Sequence, residues 1–196
     1  HPAEYQVMGD RIAAATYLCG CAAAGGEIKA AGFAPDTLSA VLSCLEEAGC
    51  ALHTGPDWAV LSHTGPLKAI SPVRTAPYPG FPTDAQAVLM AALAGGEGAT
   101  LFVENMFDSR YRHVDELRRM GADIQLAGRA AMVSGVGRLR GAAVRSTDLR
   151  GGAALVVAGL GAEGTTRVSG LRHIRRGYQA LDRNLSALGA EIREAP

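Results

Sequence analysis

The sequence predicts an α/β (α+β) domain made of three copies of one βαβαββ-type unit, the third incomplete, and three observations carry that prediction. A distinctive tail recurs at Leu45–Leu52 (LEEAGCAL), Leu117–Ile124 (LRRMGADI) and Leu185–Ile192 (LSALGAEI), its glycines 72 and 68 residues apart. Upstream of each tail stands an Ala-rich apolar segment opened by an acid, at Asp10, Asp84 and Asp148, and closed by glycine. The composition agrees: 48% of the 196 residues are hydrophobic but only 5% aromatic, and 25 are Gly. Such a chain buries a sizeable core through closely approaching backbones instead of large rings. The copies run over about 8–75, 76–146 and 147–196 of a single 1–196 domain.

Each element follows in order. The first helix of each copy (about 10–24, 83–94 and 149–162) starts at an Asp or Thr N-cap and stops at Gly25-Gly26, Gly95-Gly96 or Gly161 to Gly164. It is apolar nearly all round, so it must be buried on every side, and the three helices would share one centre. A strand with β-branched or aromatic content comes next, at 27–30, 99–103 and 165–168. An amphipathic helix follows, as at 36–45, with its C-cap at Gly49, Gly121 or Gly189. Strands at 58–62, 131–134 and 139–146 are expected to close the copies. Only seven residues follow Gly189, so the third copy lacks its closing pair and leaves a sheet edge open near Ala190 to Glu194.

Charge and cysteine content narrow the function. Net charge is zero, which disfavours nucleic acid as a partner. No apolar run reaches the ~18 residues of a membrane span, and His1-Pro2-Ala3-Glu4 has neither region of a signal peptide. A cytoplasmic chain with no membrane partner is expected. Cys19, Cys21, Cys44 and Cys50 have no paired His to complete a zinc set; they read as buried small hydrophobes, and neither metal nor cofactor is expected. The zero net charge hides an imbalance, however. Residues 1–100 hold four Lys/Arg against nine Asp/Glu, and residues 101–196 hold fifteen Arg against ten. Arginine grips carboxylate or phosphate through two parallel hydrogen bonds, so the second half is either a solvated basic surface or the binder of an anionic ligand.

One loop stands out. Thr75–Asp84 (TAPYPGFPTD) has three prolines in ten residues and delivers Asp84 to a helix start on stiff backbone. Two roles fit Asp84: an N-cap carboxylate, or a carboxylate held rigidly to take a proton. Arg110, Arg150 and Arg176 each follow a strand or precede a helix at the same end of their copies. Threefold packing would gather these ends around one cleft.

The segments PYPGFPTD (77–84), RRMGADI (118–124), STDLR (146–150) and HIRRGY (173–178) resemble, in register, the C-terminal half of the UDP-N-acetylglucosamine enolpyruvyl transferase (1-carboxyvinyltransferase) family. The sister shikimate-pathway transferases share the repeats without the proline loop. The resemblance implies an inside-out α/β barrel that forms the second domain of a two-domain enzyme. It implies enolpyruvyl transfer from phosphoenolpyruvate to the 3-hydroxyl of UDP-N-acetylglucosamine, with an N-terminal catalytic domain as the missing partner. In it Asp84 matches the base, Arg110, Arg150 and Arg176 the groups that hold phosphoenolpyruvate, and Met106 and Phe107 the positions that touch the sugar nucleotide. Arg175 stands where the family has an acid, Gly151-Gly152 replace Ala-Ser and are expected to loosen a helix start, and the FENR motif reads FDSR at 107–110. No cysteine here matches the family's cysteine acid. The isolated chain is therefore expected to be inactive. A non-catalytic module that binds a sugar nucleotide or a partner is the alternative.

Overall fold

The computed structural model describes residues 2–195; His1 and Pro196, the outermost residues of the expected 1–196 domain, lie outside the described residues. In chain order the first segment holds α1 (Arg11–Ala24), β1 (Gly26–Ala31), α2 (Ser39–Glu47), β2 (Ala51–Thr54) and β3 (Trp58–His63). The second holds β4 (Val73–Arg74), α3 (Thr83–Ala94), β5 (Ala99–Val103), α4 (Val114–Arg119), β6 (Asp123–Ala127) and β7 (Ala130–Ser134). The third holds β8 (Ala143–Arg145), α5 (Leu149–Gly161), β9 (Arg167–Ser169) and α6 (Leu181–Ala187).

The core is made by α1, α3 and α5, each packed on the other two. Every residue of α3 from Ala85 to Ala94 is buried, which a helix apolar on all faces requires. Small residues let these helices meet backbone to backbone. A Cβ at Gly161 of α5 would stand 2.5 Å from the Ala23 carbonyl oxygen of α1, so only glycine closes that crossing. Asp10 caps α1 by accepting from the Ile12 and Ala13 amides at 2.8 and 3.1 Å, and Asp148 caps α5 by accepting from Gly151 N at 2.8 Å. The third acid departs from this pattern. Pro82 occupies the N-cap position of α3, and Asp84 lies inside the first turn without capping it.

The three recurring glycines end α2, α4 and α6 in the same way. Gly49, Gly121 and Gly189 have φ of 104°, 88° and 97°. In each case the glycine amide bonds back three residues and the next amide bonds back five, as from Cys50 to Leu45, Ala122 to Leu117 and Ala190 to Leu185. This is the Schellman arrangement, which satisfies the last helix carbonyls and needs a left-handed residue.

The strands form three separate sheets and, among the described residues, no closed barrel. Their orders are β1-β3-β2, β4-β5-β7-β6 and β8-β9. The pairs β4–β5 and β8–β9 are parallel and the others antiparallel, with Ile28 opposite Leu61, Phe102 opposite Ala131 and Val144 opposite Val168. The expected closing strand over 139–146 shortens to β8. It pairs with β9 and so opens the third segment, while β6 and β7 close the second. Among the described residues the first sheet has three strands, the second four and the third two. Tyr5, Val7 and Met8, just before α1, are left 76%, 83% and 69% exposed. The open edge belongs to β9, and Ala190 and Ile192 line the cleft beside it with Val168 and Leu185.

The four cysteines are unpaired thiols: Cys19, Cys21 and Cys50 are buried and Cys44 half-buried. Burial pushes Cys44 up to about 11 and Cys50 up to about 12, so these thiols are poor nucleophiles. Among the described residues no helix is long and apolar enough to cross a membrane.

Candidate active site

The proline loop folds back on itself before α3 begins. Ala76 N donates to Phe81 O at 3.0 Å, and Gly80 N to Pro77 O at 2.8 Å. At its tip the Tyr78 ring lies under the Arg11 guanidinium, 5.2 Å from centroid to Cζ, which ties the loop to the start of α1. This stiff entry fixes where Asp84 emerges.

Asp84 sits between two arginines. Its Oδ1 accepts from Arg110 Nη2, and its Oδ2 from Arg150 Nη2 at 3.1 Å. Both guanidiniums are mostly buried, whereas the carboxylate is 40% exposed. Arg150 also donates to the Tyr178 hydroxyl at 3.2 Å, and that hydroxyl lies 2.8 Å from Thr16 Oγ1. The Thr16 hydroxyl spends its one proton on Ile12 O at 2.9 Å, so Tyr178 donates to it. The first turns of α1, α3 and α5 thus meet through one polar chain. For Arg150, burial opposes the charge, but Tyr178 and Asp84 outweigh it and raise its pKa further.

Arg110 reaches this cluster from the loop between β5 and α4, with its guanidinium 5.3 Å from the Phe107 ring centroid. Met106 and Phe107 are 42% and 53% exposed beside it. Their amides donate to Glu104 Oε1 at 2.7 and 3.1 Å, so the loop's backbone is anchored while its side chains face outward. Arg176 does not join the cluster. It lies exposed on a 3₁₀ turn (Ile174–Arg176) packed on α5, with no ion pair among the described residues. Arg175 pairs with Glu194 and so tethers the C-terminal segment.

The expected loosening at Gly151-Gly152 is reversed: both glycines are buried against neighbours. A Cβ at 151 would come within 2.9 Å of both Asp148 Oδ2 and His113 Cβ, and one at 152 would strike Ser146 Oγ and lie 2.7 Å from Ile174 Cγ1. The glycines draw the α5 start closer to its surroundings. His113 fills the space beside Gly151; it is 1% exposed, and neither ring nitrogen has a hydrogen-bond partner among the described residues.

Reading the sequence missed Glu104, Thr75, Thr83, Thr16 and the hydroxyl of Tyr178. Glu104 did leave a signal: it continues the inward positions of β5, after Thr100 and Phe102, where an acid is out of place unless fully bonded. Among the described residues no group of His, Cys, Asp and Glu could hold a metal. What the cluster offers is one partly exposed carboxylate, two fixed guanidiniums and helix N-termini that favour negative charge.

Residues 1–185 match the family described as EPSP synthase (3-phosphoshikimate 1-carboxyvinyltransferase). The chain is 46% identical over 192 residues to UDP-N-acetylglucosamine 1-carboxyvinyltransferase 2 of Caldanaerobacter subterraneus subsp. tengcongensis, covering 98% of this chain and 46% of that protein. Among solved structures it is similar to the enolpyruvyl transferase NikO from Streptomyces tendae, with TM-score 0.84, 26% identity, and coverage of 98% of this chain and 46% of that one. It shares its fold with EPSP synthase from Acinetobacter baumannii at TM-score 0.79 and 20% identity, over 97% and 48% of the two chains. The chain spans about half the length of these relatives. With its mixed α/β fold and its match over residues 1–185, the chain belongs to the EPSP synthase family of enolpyruvyl (1-carboxyvinyl) transferases.

Proposed function

We propose that this chain is the second of two domains of a UDP-N-acetylglucosamine enolpyruvyl transferase and supplies one wall of an active site between the domains. Its segments 8–75, 76–146 and 147–196 would be copies of one unit wound as an inside-out barrel. The shared Schellman ends and the three central helices support that reading. The observation that carries the function is Asp84, held between Arg110 and Arg150 on a stiff helix start.

Transfer of enolpyruvyl to a hydroxyl joins that oxygen to C2 of phosphoenolpyruvate, moves the hydroxyl proton to a base and releases phosphate. Asp84 is the base for the sugar 3-hydroxyl. Arg110 and Arg150 exchange their contact with Asp84 for the carboxylate and phosphate of phosphoenolpyruvate, which frees an Asp84 oxygen for the proton. Once engaged with phosphoenolpyruvate, the guanidiniums stabilise charge as it develops, usually the largest single term in catalysis of this kind. Arg176, exposed and without an ion pair among the described residues, swings in with substrate. Met106 and Phe107 receive the sugar nucleotide.

The proton donor to C3 of phosphoenolpyruvate comes from the other domain, and a proton leaves C3 again as the C2–O bond to phosphate breaks, which restores the double bond. The test is a phosphate-release assay on this chain alone and on the chain mixed with the remaining half of the enzyme. Release only in the mixture is expected. No release from a mixture that binds UDP-N-acetylglucosamine would favour the non-catalytic module.

A further inference from the structure

Glu104 is 1% exposed, yet its carboxylate has no cationic partner among the described residues. Burying such a group is costly unless hydrogen bonds replace its water, and here four do. Oε1 accepts from Thr75 Oγ1 at 2.9 Å, Met106 N at 2.7 Å and Phe107 N at 3.1 Å; Oε2 accepts from Thr83 Oγ1 at 2.9 Å. Thr75 Oγ1 in turn accepts from Asn105 N at 2.8 Å. These donors belong to three segments: the entry to the proline loop, the residue before Asp84, and the loop that carries Met106, Phe107 and Arg110.

We propose that Glu104 is a positioning residue, which locks the helix start bearing Asp84 and the Met106–Phe107 backbone to one point, so that base and sugar nucleotide meet in register. This rests on the function proposed above for Asp84, Met106 and Phe107. A carboxylate suits the task because both oxygens only accept, and two backbone amides and two hydroxyls all point at it. Misplacement by about 1 Å is enough to cost on the order of 10²-fold in rate. An amide at this position would keep one accepting oxygen for Met106 and Phe107, while the Thr83 hydroxyl can turn round to accept from its NH₂.

The test compares Glu104→Ala, Glu104→Gln and Thr83→Val in the full-length enzyme that carries this chain. With Glu104→Ala we expect the KM for UDP-N-acetylglucosamine to rise at least tenfold and kcat to fall at least tenfold. Glu104→Gln should restore most of the KM, and Thr83→Val should lower kcat with KM held. Amide exchange at Met106 and Phe107, read by hydrogen–deuterium exchange, should quicken at least tenfold in Glu104→Ala and less in Glu104→Gln. Lowered melting temperature with KM, kcat per folded molecule and these amides unchanged would overturn the proposal. If Glu104→Ala does not fold, the KM-against-kcat split between Glu104→Gln and Thr83→Val decides. A wild-type enzyme without transfer activity would instead sink the proposed function, and the exchange measurement would still judge the anchoring of the loop.

Discussion

Asp84 and Arg150 are 66 residues apart in the chain, on the first turns of α3 and α5, and their side chains meet at 3.1 Å. The contact exists because α3 and α5 pack along their Ala- and Gly-rich faces with their N-terminal ends together. Arg110, brought by the loop between β5 and α4, closes the same carboxylate between two cations. Since the carboxylate is 40% exposed, solvent screens these pairs and they add little to stability.

With Asp84 as the base proposed above, Asp84→Asn in the full-length enzyme is expected to lower kcat by roughly 10²–10⁴-fold, the usual contribution of a general base. Binding of UDP-N-acetylglucosamine, measured by calorimetry, should change far less. An unchanged kcat would leave Asp84 a structural partner of the arginines.

Gly152→Ala places a methyl group against Ser146 Oγ and 2.7 Å from Ile174 Cγ1. Overpacking of this kind costs about 1–3 kcal/mol, partly offset by the better helix propensity of alanine, worth up to about 1 kcal/mol. A Tm lowered by about 2–6 °C is expected for a chain of this size. A raised Tm in differential scanning calorimetry would show that the neighbours yield freely.

His113 gives the chain a distinct acid response. Burial lowers its pKa from the usual 6.5 to about 4, with the Arg110 charge adding to the effect and Asp148 and the Arg110 backbone opposing it. The unfolded chain takes up this proton below pH 6.5 and the folded chain only near pH 4, so the unfolded state gains as pH falls between the two. Stability should drop over that window with a slope approaching about 1.4 kcal/mol per pH unit from this group, and level off below it. Urea unfolding of wild type and His113→Gln from pH 7 to 4.5 should give lines that converge towards acid. Parallel lines would exclude His113 as the cause.

The β9 edge and its apolar cleft should take up a strand from outside the chain. β5 pairs with antiparallel β7, whereas β9 pairs on one side only among the described residues, which leaves its other edge able to take a strand. Titrating in the other domain of the proposed enzyme as a separate polypeptide should raise the Tm with its concentration. A Tm that does not move with added partner would mean the edge is closed by other means.

Sequence by itself determined the parts whose causes are local. The central helices follow from runs of alanine and glycine, and the ends of α2, α4 and α6 from glycines that supply a positive φ within five residues of the carbonyls they satisfy. Asp84 on a rigid helix start was legible because proline stiffness is written into the chain. Tertiary structure alone decided the rest. That Asp84 pairs with Arg110 and Arg150 instead of capping α3, that Arg176 stays outside, that Gly151 makes room for His113, and that β8 opens the third sheet all depend on encounters between distant segments. Periodicity and capping are set by residues three to five apart, whereas which side chains meet across α1, α3 and α5 is set by how those helices bury one another. Glu104 shows the difference most sharply: its four donors come from three segments that converge only when the core is packed.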